Sequence, residues 1–375
     1  MQKKTLFTAH PLGDRNKKNL LFLNLIKKNK ATSRTEISKL TDINIVTVSN
    51  YINTYLRKGI VLETGYDVSS GGRRPELVEL NKKCGYAAGI DIAQGRINGV
   101  LVDFGMEELA SQAISGYDKK NLKNHIGEML KKLLESSKAD KSLVKKIGIT
   151  AYPGDTPGGA QKLKDEIERE LEIPVLFGTP ALSAAFGEKT LNPEAAEASK
   201  ILFIYTTLGE GIFIADGEFY EANEKEHKEE KYAYLRSWNR ELGIVEEARK
   251  AACRGLGTKI VEMAFGDAKN ITAETVTKAA LGRDEVAAEI IKTAATNLSV
   301  RVAYLINLFE PEVVIIGGGA EKVEDLFLKP LAANVKKLSS QNASSAAKVA
   351  PAVLGEEARA KGSAFLAIRE AFIET

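Results

Sequence analysis

Cysteine and histidine are scarce in this 375-residue chain. Its two cysteines, Cys84 and Cys253, stand far apart and outside any Cys-x-x-Cys pair, which excludes a disulfide framework and a zinc knuckle. The three histidines, His10, His125 and His227, show no metal-ligand spacing. Long hydrophobic runs are missing as well. No apolar stretch approaches the length that spans a bilayer, and the basic start Met1-Gln2-Lys3-Lys4-Thr5-Leu6-Phe7 lacks the apolar segment of a signal peptide, so the cytoplasm is the expected compartment. What is there is a globular composition, 44% apolar and 27% charged, at a length that suits two or three domains.

The net charge of +3 hides a division. Residues 1–83 hold 16 Lys and Arg against 7 Asp and Glu, a net of +9, which leaves −6 for the remainder. A basic head on an acidic body is the electrostatic footprint of a DNA-binding module fused to a domain of another kind.

The pattern within that head agrees. Three apolar stripes of helical period (Leu20, Leu21, Leu23, Leu25, Ile26; Ile37, Leu40; Ile45, Val48, Ile52, Tyr55, Leu56) are separated by short polar breaks and followed by a two-stranded pattern around Ser69-Ser70-Gly71-Gly72-Arg73-Arg74. This spacing predicts a winged helix-turn-helix. Thr32 or Ser33 is placed to cap the second helix, Thr41-Asp42-Ile43 to turn, and Asn44 to cap a recognition helix over about residues 45–58. Val48, Ile52 and Leu56 then point into the core. Asn44, Val46, Thr47, Ser49 and Asn50, with Asn53 beyond them, face base edges and phosphates of double-stranded DNA. Asn pairs bidentately with adenine, a Thr methyl meets thymine, and Arg73 and Arg74 on a glycine-hinged wing reach phosphate or a narrow minor groove. The alternative is a trihelical protein-protein module, against which the basic surplus argues.

From Gly85 onward strands alternate with helices. Residues 86–92 and 97–103 read as a strand pair, 122–137 as an amphipathic helix, 146–150 as a further strand, and 200–205 with 211–219 as the start of a second set. Two α/β lobes in tandem predict a cleft between them.

The wing Gly72-Arg73-Arg74-Pro75, the strand Gly89-Ile90-Asp91-Ile92, residues 306–319 (INLFEPEVVIIGGG) and the ending 355–364 (GEEARAKGSA) resemble the ROK family (repressor, open reading frame, kinase), over about residues 15–370. The resemblance implies an α/β chain with a winged helix-turn-helix over 1–83 and a two-lobed actin-like, sugar-kinase-type domain over 84–375. One lobe takes 84–195 plus the helix 356–375, the other 196–355. It further implies a dimeric regulator on an inverted-repeat operator, with a sugar-like effector.

The family's catalytic pattern is eroded. Its first phosphate loop, Asp-x-Gly-Gly-Thr, stands here as Asp91-Ile92-Ala93-Gln94-Gly95, and its second as Thr207-Leu208-Gly209-Glu210-Gly211. A carboxylate at Glu210 repels phosphate. In the frame Pro174-Val175-Leu176-Phe177-Gly178-Thr179-Pro180, Pro180 occupies the place of the catalytic Asp and can neither take a proton nor donate a hydrogen bond. The zinc-binding cysteine cluster has no counterpart, and His227 sits in a charge run. The expectation is therefore a regulator without kinase activity, zinc or other cofactor. Asp91, Asp155, Thr179, Gly209, Glu210 and Gly211 are the candidates for holding a small ligand. Alternatives are a remodelled small-molecule sensor, a constitutive DNA binder whose second domain serves only dimerisation, and an active sugar kinase.

Overall fold

The structure, a computed structural model, describes residues 12–66, 75–93, 95–151, 155–156, 158–207, 209–215, 217–221, 230–235, 242–339 and 347–375. The chain divides into two compact units, residues 1–186 with 359–375, and residues 187–358.

The first unit opens with α1 (Asp14–Asn29), β1 (Ala31–Ser33), α2 (Arg34–Thr41), α3 (Ile45–Arg57), β2 (Val61–Tyr66) and β3 (Glu76–Leu80). Local chemistry sets the boundaries. Ser33 Oγ accepts the Glu36 amide at 3.2 Å, while the Thr32 hydroxyl donates to the Glu36 carboxylate at 2.8 Å, so both expected residues serve the start of α2. Asp42, at φ 53°, ends it in the left-handed conformation. Asn44 Oδ1 accepts the Val46 amide at 2.8 Å and opens α3. The three strands pair in the order β1-β3-β2. β1 went unread in the sequence because three residues carry no period.

A five-stranded sheet follows, of β4 (Tyr86–Ala93), β5 (Arg96–Asp103), β6 (Glu108–Ser115), β7 (Val144–Ala151) and β8 (Val175–Gly178), in the order β6-β5-β4-β7-β8. Alternation sorts its faces. Ala88, Ile90, Ile92, Ile147 and Ile149 pack with α4 (Leu122–Ser137) and α5 (Ala160–Leu171). Ala87, Val100 and Val102 join a different cluster with Leu23, Val48, Ile52 and Tyr55 of the winged helix and with Phe365, Ile368 and Phe372 near the end of the chain. Two short helices, α6 (Pro180–Leu191) and α7 (Pro193–Ala196), come after β8.

The second unit carries the sheet β11-β10-β9-β12-β13, built from β9 (Lys200–Tyr205), β10 (Glu210–Ala215), β11 (Glu218–Tyr220), β12 (Val313–Gly317) and β13 (Lys348–Pro351). Its helices are α8 (Ile244–Cys253), α9 (Lys259–Met263), α10 (Ala273–Leu281), α11 (Glu285–Phe309) and α12 (Lys329–Leu338). The final helix of the chain is α13 (Ala358–Ile373). Among the described residues no helix is long and apolar enough to cross a membrane.

One carboxylate organises the helical side of the second unit. Asp284 caps α11 through the Ala287 amide at 2.8 Å and also takes the Lys259 amide at 2.8 Å and the Thr258 hydroxyl at 2.9 Å. Burial pushes its carboxyl up, but these three hydrogen bonds outweigh that and hold it below the usual Asp range. Its stabilising contribution is therefore complete above the unfolded pKa and is lost as pH falls through the lower folded value. Asp284→Ala should cost about 1–2 kcal/mol at neutral pH by urea unfolding, and the cost should shrink in acid.

Candidate DNA-binding and ligand sites

Helix α3, the recognition helix expected from the sequence, buries Val48, Ile52 and Tyr55 and exposes Asn44, Val46 and Asn50, with Thr47 and Ser49 half-buried at its flanks. Val46, at 64% exposed, is an apolar side chain standing in solvent on the outward face. Asn53 is partly engaged, since its Oδ1 accepts from Arg34 at 3.3 Å while Arg34 also pairs with Glu76 of β3 at 3.1 Å. Arg34 thus ties α3 to β3, a role with no local sequence signal. Arg73 and Arg74 lie outside the described residues, between the antiparallel strands β2 and β3.

In the first unit, cross-strand register lines up Asn98, Asp91, Thr150 and Gly178 along β5, β4, β7 and β8. All four occupy the face opposite α4 and α5, and on that face α13 lies. A Cβ at Gly89 would collide with the Ala360 carbonyl oxygen, and one at Gly148 with that of Ser363, so only glycine lets the helix backbone come this close. This contact delivers Arg359, whose guanidinium pairs with Asp91 at 2.9 Å; Asp91 is fully buried. Asn98 Nδ2 donates to the same carboxylate at 3.4 Å. Burial pushes the Asp91 carboxyl up against the opposing pull of Arg359 and Asn98, and the nearby Asp155 carboxylate adds to the rise. Asp155, itself buried, pairs with Lys119 at 2.6 Å. The buried oxygens Asp91 Oδ1, Thr150 Oγ1 and Ser183 Oγ have no hydrogen-bond partner among the described residues.

Asp91 therefore sits in a row with Asn98 and Thr150 and is neutralised by Arg359, while Asp155, close enough to raise its carboxyl, has its own cation in Lys119. Thr179 has a helix-capping role, its Oγ1 accepting the Leu182 amide at 3.2 Å, while Pro180 forms the first residue of α6, where its fixed φ suits a helix start. Gly209, Glu210 and Gly211 belong to the second unit at the β9-β10 turn, where Glu210 pairs with Tyr205. Gly209 takes φ 65° there, and burial raises the Glu210 carboxyl. His227 lies outside the described residues. Reading the sequence missed Asn98, Lys119, Thr150, Ser183 and Arg359. Register could have flagged Asn98 and Thr150, but nothing local announces that Arg359 reaches Asp91.

A model of the ROK family matches residues 248–370. A relative from Caldicellulosiruptor sp. (strain Rt8B.4), carrying a xylose-repressor name, is 30% identical over 83% of this chain and 85% of its own length. The xylose repressor of Bacillus subtilis (strain 168) is 26% identical over 93% of this chain and 94% of its own. Among solved structures, a ROK family transcriptional regulator, homolog of the E. coli MLC protein, superposes with a TM-score of 0.69 at 16% identity, covering 96% of this chain and 97% of that one; it shows a common fold. The chain belongs to the ROK family, with the family's winged helix-turn-helix and actin-like α/β architecture. Relatives that align along most of its length are named as xylose repressors, whereas glucokinase-named relatives align over about half of it, and the chain is of the ROK repressor type.

Because removing one member of a buried ion pair leaves the other uncompensated, Arg359→Ala should destabilise the chain by about 3–5 kcal/mol in denaturant unfolding. Lys131→Ala, in a pair with Glu135 that is exposed at both ends, should shift the midpoint far less. Equal losses would show that the Asp91 pair is not buried as described.

Proposed function

We propose that this repressor binds an inverted-repeat operator as a homodimer, through residues 1–83, and that residues 84–375 form a sensor domain without phosphoryl-transfer activity. The observation that carries the reading is the outward face of α3, capped by Asn44 and presenting Val46, Thr47, Ser49 and Asn50, in a chain with repressor relatives along most of its length. Arg73 and Arg74 supply the wing's phosphate or minor-groove contacts. The two-fold axis of the dimer is matched by two half-sites separated by whole helical turns.

Replacing Thr47 or Asn50 by Ala should weaken specific binding more than non-specific binding, by about 1–3 kcal/mol for a lost base contact. Sequence preference untouched by both substitutions, in a selection from random DNA, would place base reading elsewhere. Arg73→Ala and Arg74→Ala should each lower the magnitude of the salt slope by about one where the side chain meets phosphate.

Loss of catalysis is supported by Pro180, which stands where the family's general base would be and serves to start α6. No ATP-dependent phosphorylation of hexoses or amino sugars should be detectable in a coupled assay. Turnover that disappears on mutating Asp91 or Asp155 would reveal a relocated base.

Ligand sensing is favoured by a separate observation. The row around Asp91 and Thr150 presents buried oxygens to one face, and such groups suit a hydroxyl-rich effector that donates to Asp91 and accepts from Thr150. With relatives named for xylose, we propose a pentose as that effector, with Asp91 and Asp155 in its site and Thr179, Gly209, Glu210 and Gly211 as further candidates. Thermal unfolding with D-xylose at 100 times its dissociation constant should show about 2.7 kcal/mol of added stability, while glucose and N-acetylglucosamine should show none. A shift with glucose and none with xylose would overturn the pentose assignment.

A further inference from the structure

We propose that α13 is the transmitter between the Asp91 row and the recognition helix, with the Arg359–Asp91 ion pair as its latch. The inference rests on the proposed DNA-binding role of α3 and on the proposed effector role of the row. At the first turn of α13, Arg359 holds Asp91 at 2.9 Å. Along its middle, the close approach at Gly89 and Gly148 presses the helix backbone against β4 and β7. At its last turn, the Ile373 carbonyl accepts from Asn19 of α1 at 3.4 Å, and Asn19 Oδ1 accepts the Tyr55 hydroxyl of α3 at 2.8 Å. Phe372 packs edge-on against Phe104, with ring centroids 5.0 Å apart. Just beyond α3, Lys58 Nζ donates to the Thr375 main-chain oxygen at 2.5 Å.

These contacts form a chain with no gap. A helix of 16 residues spans about 24 Å, so one rigid element runs from the carboxylate of the row to the hydrogen-bond relay behind α3. Val48, Ile52 and Tyr55 share one buried cluster with Phe365, Ile368 and Phe372. Close-packed cores pass on a displacement rather than absorb it. A hydroxylated ligand that donates to the unpartnered Asp91 Oδ1 draws on the negative charge that Arg359 holds through Oδ2 of the same carboxylate. Weakening the latch then frees the first turn of α13, and the far end carries the change through Asn19 and Tyr55 to the helix that reads DNA.

Coupling of this kind is measured by a double-mutant cycle in the full-length protein, with no ligand needed. The latch is exchanged by the paired substitution Asp91→Asn with Arg359→Gln, which leaves amide partners and no uncompensated charge. The relay is cut by Tyr55→Phe. On the selected operator the latch exchange should lower affinity about fivefold or more in the parent chain and less than about twofold in the Tyr55→Phe background. Fold-changes that simply multiply, or an unchanged operator affinity, would overturn the proposal. Hydrogen exchange provides an arm independent of DNA. The latch exchange should reduce amide protection over 14–29 and 45–57 while leaving 285–309 as in the parent, and unaltered protection over 45–57 would also overturn it. A parent chain that selects no DNA sequence would sink the operator reading alone, with the exchange arm still deciding the coupling.

Discussion

The contact between α13 and the strands β4 and β7 is the constraint on which the first unit depends. Two glycines, Gly89 and Gly148, let a helix backbone lie where any side chain would collide with the Ala360 and Ser363 carbonyls. From that contact follow the burial of Phe365, Ile368 and Phe372, the delivery of Arg359 to Asp91, and the closure of one hydrophobic cluster around the winged helix. An uncompensated Asp91 would be costly in so dry a position, and the helix brings the compensating cation from 268 residues away.

The DNA-binding head is accordingly not a bead on a tether. Leu20, Phe22, Leu23 and Ile26 of α1 are buried with Val100 and Val102 of the sheet and Phe104 just beyond β5, in the same cluster as α3. The orientation of α3 is thus fixed by tertiary packing as well as by its own three-helix core. That arrangement suits a regulator, because a change in the row on the sheet meets a head that is already packed to it.

The second unit depends on polar junctions of another kind. Asp284 joins the start of α11 to the Thr258–Lys259 segment, and the Glu188 carboxylate gathers the Val353 and Leu354 amides with the Asn192 side chain. Gly318, at φ 92°, allows the backbone to meet Thr206 and Thr207, where the Thr206 hydroxyl donates to the Gly317 carbonyl at 2.7 Å. These junctions satisfy backbone groups at the ends of strands and at the starts of helices, where ladder and helical hydrogen bonds no longer do so.

Much was legible in the sequence wherever the determining physics is local. Period and capping placed α3 with Asn44 at its start, the helix Leu122–Ser137 and the strand Lys200–Tyr205, because amphipathic spacing and a side-chain oxygen at a helix start act within a few residues. The basic head, the family motifs and the substitution at Pro180 were equally readable, since each is a property of residue type and order. Tertiary structure alone decided that Arg34 ties α3 to β3 and that Arg359 neutralises Asp91. The first outcome depends on how α2, α3 and β3 pack and the second on the close approach at Gly89 and Gly148, and long-range contacts of that kind leave no periodic trace in the residues that make them.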